Sequence, residues 1–472
     1  MSETECDERL HRAIDAYIAE GRLLADLARR VAMPTLSNDP DMRQVLSVYL
    51  ETEITPALIA MGFTSEIFVE PDLSPLPFLI AHRKEGADLP TILLYGHGDV
   101  VQAEPGAWSE GLDPWTLTRR GERLYGRGTA DNKGQHSINL AALSIVLAER
   151  GSLGFNAVVL MEMGEEAGSP GLEAFCHRHR DRLRADLLVA SDGPRWSSER
   201  PTVFLGARGF MDFELSVELR DRAYHSGNWG GWLRNAGQVL VRALATLSDD
   251  HGRPLAAALA TPAAAKAYEP FFDRLTAPTE TGLPRPDTGW GDISASPAAR
   301  LLNRNNIEII ALDLGDADRP VYAINPRARA LFHVSFLPET DPNSFAPAFT
   351  AALRQAGITD VTVRPGGLLM PASRTAPDHP VVGWALASLT RWSGKPVDLL
   401  PNFGGALPNW IFRDRLRMPT LWIPHSYNGC AQHAADEHVL EPVLNEGLRI
   451  MAGLFWEAGA HPERLGKLLT HV

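Results

Sequence analysis

Three short apolar runs, PTILLYGH, FNAVVLMEM and ADLLVAS, are separated by two stretches of helical periodicity, HSINLAALSIVLAER and GLEAFCHRHRDRL. Strands that are apolar throughout and alternate with helices belong to a mostly parallel α/β sheet covered by helices on both faces. Sheets of this kind bind ligands beyond the carboxyl ends of their strands. His97, Glu166 and Asp192 each fall at that end of an expected strand. Topology singles them out before their chemistry is considered.

Asp131 in GRGTADNKG and His433 in CAQHAADEH complete a set of two imidazoles and three carboxylates. Such a set suits two divalent ions, zinc first, with manganese or cobalt accepted by the same nitrogen and oxygen donors. Paired metals serve hydrolysis, because one ion activates water while both hold the developing oxyanion. In GHGDV, Asp99 lies two residues after His97, on the same side of an extended segment. It can accept the proton-bearing nitrogen of the imidazole and fix its tautomer. The same pattern fits a buried histidine bonded to a nearby aspartate equally well. GEEAGSPG places Glu165 beside Glu166 in an irregular turn. One can ligate while the other reaches the water proton, so we assign Glu166 as ligand and Glu165 as general base. The plain alternative is a solvated acidic pair. LYGRGTADNKGQ packs three glycines around Asp131. The backbone there must turn tightly, and the aspartate suits a bridging role. Lys133 close by either pairs with an acidic group or faces solvent. His425, His433 and His438 lie too close together for spacing to choose among them. His136, His177, His179, His251, His333 and His379 are read as ordinary surface or packed histidines.

At 472 residues the chain exceeds one small core. After about Gly206 the texture changes to alternating strands, GFMDFELSVEL and RALFHVSFLP, with a helix in NSFAPAFTAALRQAG, a strand in DVTVRP and a Pro- and Ala-rich stretch over 251–300. The parallel texture returns after Pro377. The expected organisation is a metal-binding domain over 1–206 and 378–472, interrupted by an inserted α+β domain over 207–377. A net charge of −13 argues against nucleic acid or an anionic membrane as partner. No apolar run reaches the roughly 18–20 residues of a bilayer span. The acidic start, MSETECDERLHRAID, does not resemble a secretory signal. Three scattered cysteines make no disulfide framework. A reducing cytoplasm is the expected compartment.

These motifs resemble the dinuclear zinc peptidases, the family that includes carnosine dipeptidase, cytosolic nonspecific dipeptidase, aminoacylase, succinyl-diaminopimelate desuccinylase and carboxypeptidase G. GHGDVV, the W-x-x-x-x-x-PW that follows, LYGRGTADNKG and GEEAGSPGLE are closest to its dipeptidase branch. The resemblance implies His97 and Asp192 on one metal, Glu166 and His433 on the other, and Asp131 bridging. It implies Asp99 as orienter, Glu165 as base and a cis peptide at Asp131–Asn132. The ligand histidine of the family stands four residues before a glutamate, which selects His433 with Glu437 following. AYHSGNWGG is similar to the family's lid motif. That likeness makes His225 a catalytic residue reaching across a homodimer interface to the oxyanion, with Asn235 leading into a dimer-packing helix. The inserted domain is then a ferredoxin-like lid and dimerisation domain.

Two departures concern substrate. The dipeptidase branch carries an arginine before the strand-end proline of the lid, where it binds the substrate carboxylate; FHVSFLPETDP has Ser335 there. The family's glycine loop, roughly R-E-G-G-S-I-P, reads PNFGGALP, with Asn402, Phe403 and Ala406 in place of polar residues. Gly404 and Gly405 remain for backbone contacts, and Arg304 or Arg329 is the candidate replacement cation. The expected activity is hydrolysis of an amide or peptide bond in a small substrate, dipeptide-like or an N-acyl amino acid, less polar than a plain dipeptide. Two rivals stand beside it. One is an aminohydrolase or deacylase of a non-peptide molecule; the other is a catalytically silent metal-binding protein.

Overall fold

The computed structural model describes residues 3–276 and 283–469. The chain's first two and last three residues, which belong to the expected domain bounds, and 277–282 of the Pro- and Ala-rich stretch lie outside the described residues. Two sheets organise the protein. Their strands, in chain order, are β1 (Thr64–Phe68), β2 (Phe78–Arg83), β3 (Thr91–His97), β4 (Asn156–Glu162), β5 (Leu187–Ala190), β6 (Thr202–Phe204), β7 (Gly209–Glu218), β8 (Asn306–Asp313), β9 (Arg327–Phe336), β10 (Val361–Met370), β11 (Asp398–Leu400) and β12 (Thr420–Trp422).

The larger sheet has the order β1-β2-β4-β3-β5-β12-β6-β11. Its centre is parallel, with β3 between β4 and β5 and β12 beyond β5. The hairpin β1–β2 joins it antiparallel, so the sheet is mixed at that edge. Every residue of β4 is buried. Ala157, Val159 and Met161 enter one apolar cluster, whereas Val158 and Leu160 enter the other. That two-sided burial is why the strand reads as one apolar run rather than an alternating one. The first cluster lies under helices Glu3–Ala19, Arg22–Val31, Lys133–Arg150, Pro380–Ser393 and Glu441–Ala460. The second includes Phe175 of the helix Leu172–Arg178.

The smaller sheet has the order β8-β9-β7-β10 and is antiparallel throughout. With helices Ala236–Leu244 and Phe345–Gln355 it makes the β-α-β-β-α-β arrangement of a ferredoxin-like unit. Phe213, Leu215, Leu240, Phe332, Val334, Phe349 and Leu353 form its own core. The stretch between the helix Ala236–Leu244 and β8 divides its loyalties. Leu247, Ala256 and Leu259 join that core, but Phe272, Ala298, Ala299 and Leu302 join the second cluster of the large sheet.

The chain crosses between the units twice, and the crossings pair antiparallel, Gly206 with Arg374 and Ala207 with Ser373. A Cβ at Gly206 would lie 2.0 Å from the Ser373 carbonyl oxygen and 2.6 Å from the Arg374 Cα. Only glycine permits this approach.

Candidate metal centre

His97 is the last residue of β3, and Asp192 follows β5 by two residues. Because β3 and β5 are parallel neighbours, both side chains emerge at the same sheet edge. The turn after β4 brings Glu165 and Glu166 to that edge as well. Asp131 arrives just before the helix Lys133–Arg150, and His433 from the loop after β12. The Asp131–Asn132 peptide is cis.

These five residues form two groups that share Asp131. His97, Asp131 and Asp192 make one; Asp131, Glu166 and His433 make the other, each with donor atoms within 4.8 Å of one another. Asp131 divides its oxygens between them. Its Oδ1 lies 3.0 Å from His97 Nε2, and its Oδ2 lies 3.3 Å from His433 Nε2. Asp192 Oδ2 is 3.6 Å from His97 Nε2, and Glu166 Oε2 is 3.0 Å from His433 Nε2. His97 and Asp192 are buried, whereas the His433 side chain remains 57% exposed. His433 has a φ of 58°, a left-handed backbone that costs on the order of 1–3 kcal/mol for a residue with a side chain.

Asp99 sits behind the imidazole, its Oδ1 3.3 Å from His97 Nδ1. Nε2 is thereby the nitrogen that faces the cluster. The Asp99 carboxylate also accepts the backbone N–H of Glu165 at 3.2 Å and of Glu166 at 3.1 Å. One aspartate therefore aligns the His97 imidazole and fixes the turn that presents the acidic pair.

The electrostatics favour divalent cations. Burial raises the carboxyl pKa of Glu166 to about 7 and of Asp192 to about 6, with the Asp131 charge adding to both. Burial pushes Glu165 well above the usual range, and the neighbouring Asp192, Glu166 and Asp131 charges add to it against the opposing field of His97. Hydrogen bonds to Asp131 and Glu166 raise the His433 pKa to about 10. Burial opposes charge on His97, yet its bonds to Asp131 and Asp99 hold it well above its ordinary value. Among the described residues, the two imidazoles are the only cations in ion-pair reach of these carboxylates. A donor set so acidic, buried and poor in fixed positive charge fits two divalent ions.

Other expected site residues lie elsewhere. His225 is exposed at the end of a short ribbon in which it pairs with Ala323, outside the cluster. Arg304 is held by Glu269 at 2.7 Å and Asp292 at 2.9 Å. Arg329 lies near Glu214 and Asp313. Ser335 is buried in β9. Gly404 and Gly405 keep a tight loop, where Phe403 turns inward against Phe204 and within 3.2 Å of a Cβ at Gly193. Lys133 neither pairs with an acid nor faces solvent, which corrects the expectation for it. It is buried, donates to the Met33 carbonyl at 2.6 Å, and burial lowers its pKa to about 7. His136 is packed as expected, bonded to the Tyr49 hydroxyl at 2.7 Å. His438 likewise meets the Tyr427 hydroxyl at 2.6 Å.

Three supporting residues escaped the sequence. Gln432 donates to Asp131 Oδ2 at 3.1 Å. Glu437, read only as a marker for His433, is buried against Arg127 at 2.7 Å and accepts the N–H groups of Gly128, Ala130 and Asp131. Arg208 is buried at the domain crossing and donates to the Gly404 carbonyl through Nε and NH2, at 3.1 and 2.6 Å. A glutamate four residues after a candidate ligand was the only signal available for any of them.

The chain is similar to known proteins in sequence and in fold. The family model described as "Peptidase family M20/M25/M40" matches residues 93–457. The chain is 30% identical over 283 residues to the cysteinylglycine-S-conjugate dipeptidase of Corynebacterium striatum, covering 60% of this chain and 61% of that protein. It is 37% identical over 182 residues to the Beta-Ala-His dipeptidase of Mus musculus, 38% and 37% of the respective lengths. These alignments therefore span less than two thirds of either relative. The crystal structure of human carnosine dipeptidase 1 has the same fold, with a TM-score of 0.78, 23% identity, and 96% of this chain and 99% of that chain covered.

Proposed function

The chain belongs to peptidase family M20/M25/M40, and on that premise we propose that it is a dinuclear metallohydrolase that cuts an amide or peptide bond in a small substrate. The observation behind this reading is the pair of donor groups sharing Asp131. His97, Asp131 and Asp192 would hold one ion, and Asp131, Glu166 and His433 the other. Zinc is the first choice, and manganese or cobalt suits the same donors. When bound, such ions polarise the scissile carbonyl and lower the pKa of water.

The chain's own residues supply the rest. Glu165 takes the proton released by the attacking water and passes it to the leaving nitrogen as the carbon–nitrogen bond breaks. Its raised pKa suits a group that must hold that proton between the two steps. Asp99 keeps His97 Nε2 turned to the ions. Gly404 and Gly405 offer backbone to the substrate in a loop braced by Arg208.

We assign 1–206 and 378–472 to the metal-binding domain and 207–377 to a lid. The lid would pair two copies of the chain and carry His225 of each into the other's site. What supports the homodimer is the apolar surface beside His225, where Trp232, Val321 and Tyr322 are at least 80% exposed. All three cysteines are free, which suits a reducing cytoplasm, and no helix among the described residues is long and apolar enough to cross a membrane.

A hydrolysis screen of the metal-loaded protein over dipeptides, N-acyl amino acids and aryl amides tests the reading. Cleavage with two ions per chain is expected. Failure on all three classes, or full activity with one ion, refutes it. The second reading, a deacylase of non-peptide amides, draws on Ser335. Serine cannot give a carboxylate the bidentate contact of arginine, and both candidate replacement arginines already face carboxylates. Under this reading only the aryl and acyl amides are cut.

A further inference from the structure

A cavity of about 970 Å³ lies between the stretch 252–308 and the metal-binding domain. This volume is at the top of the range of about 300–1,000 Å³ for small-molecule sites, and far beyond the needs of a dipeptide. Two of its lining residues connect it to elements of the proposed active site. Asn428 belongs to the turn that leads into His433. Asn306 is the cross-strand partner of Ser335 and accepts from Arg208, the residue that grips the Gly404 carbonyl.

Its walls are amphipathic in a particular way. Trp290 and Leu301 each remain 55% exposed there, and Trp196 closes the side formed by the metal-binding domain. An aromatic and a branched apolar side chain left open in one cavity suit an apolar occupant. Two of its arginines are neutralised, Arg253 by Asp249 and Arg304 by Glu269 and Asp292. Among the described residues, Arg285, which is exposed, and Arg300 have no such partner, and Arg300 is the one anchored to the cavity wall. It donates one N–H to the Trp290 carbonyl at 3.0 Å, has no carboxylate in ion-pair reach among the described residues, and its buried Nε has no hydrogen-bond partner. A guanidinium carries five N–H donors, and the bond to Trp290 spends only one of them. A guanidinium edge matches a carboxylate.

We infer that this cavity receives the far end of the substrate, an extended apolar or aromatic group ending in a carboxylate, and that Arg300 binds that carboxylate. The inference rests on the amide hydrolysis proposed above and gives its substrate class: peptides longer than two residues, or long acyl amino acids with an acidic terminus. The carboxylate recognition that Ser335 cannot supply near the scissile bond is moved to the distal end.

Three amides with one common scissile bond test this. The first carries an acetyl group, the second a phenylalkyl group, and the third the same phenylalkyl group ending in a carboxylate. Arg300→Gln should raise KM at least tenfold for the third alone, with kcat unchanged. Leu301→Trp, which narrows the cavity, should raise KM for both long amides and spare the acetyl one. Equal effects on all three, or none, overturn the inference. Calorimetry with 3-(indol-3-yl)propanoate and its neutral amide separates the two proposals. Propanoate binding that Arg300→Gln weakens tenfold, with amide binding unmoved, supports the cavity assignment even if no amide is cut. Identical propanoate binding by both proteins refutes it even if amides are cut.

Discussion

Glu437 accepts the backbone N–H of Asp131 at 3.1 Å across 306 residues of sequence. The same carboxylate takes the N–H groups of Gly128 and Ala130 and pairs with Arg127. The loop that carries His433 is thereby locked to the segment that carries Asp131.

Glu437→Gln should accordingly damage both ion sites without touching either. Removing one partner of a buried pair strands the other charge, at a cost of about 3–5 kcal/mol. Elemental analysis should find fewer than two ions per chain, with a lowered unfolding midpoint. A variant that is fully loaded and as stable as the parent would show that the clamp is dispensable.

The two adjacent glutamates should separate cleanly. Glu165→Gln cannot accept a proton, so turnover should fall by about 10²–10⁴-fold while metal content holds. Glu166→Gln should lose metal, chiefly at the outer group, where its oxygen lies 3.0 Å from His433. Should Glu165→Gln be the variant that loses metal while Glu166→Gln stays active, the two roles are exchanged.

His136 gives the fold a pH dependence of definite sign. Burial holds its pKa well below the ordinary value of about 6.5. The unfolded chain therefore binds this proton more readily than the folded one. The stability linked to it is complete above about pH 6.5 and falls as pH drops, by at most about 1.4 kcal/mol per unit. Denaturation midpoints at pH 5 and 7.5 should differ less in His136→Gln than in the parent; an unchanged difference excludes His136 as a source.

Mixed dimers test His225. Glu165→Gln and His225→Ala homodimers should both be inactive. If His225 serves the other copy, a mixed dimer holds one whole site, in which the His225→Ala chain keeps its own Glu165. Random exchange makes about half the dimers mixed, so roughly a quarter of all sites should recover. No recovery after verified exchange would place His225 within its own chain or outside the reaction.

The sequence disclosed what periodicity and residue type can disclose. β3, β4 and β5 appear as apolar runs because both faces are covered, and His97, Glu166 and Asp192 stand at their ends for that reason. Strands β7 and β9 of the smaller sheet alternate because one face packs on the helices. Arg208 and Glu437 were invisible because each acts on backbone atoms that only the fold brings near. The stretch 251–300 gave no periodicity, since its short turns bury single residues such as Phe272 and Ala298 in a core built by distant strands. Lys133 was misjudged because proximity to acids in sequence says nothing of depth.

The unit of the smaller sheet is spliced between Asp192 and His433, and this fixes a timetable for the emerging chain. By the time residue 200 has been synthesised, His97, Asp131 and Asp192 all exist, yet the loop that braces Asp131 lies more than two hundred residues downstream. Domains tend to condense as they leave the ribosome, so this unit can fold while the larger sheet still lacks β11 and β12. A product truncated within the inserted unit would hold four of the five candidate donors, lacking only His433, and no clamp. Its exposed sheet edge at β5 would await a β12 that never arrives, which makes such fragments candidates for aggregation and rapid proteolysis.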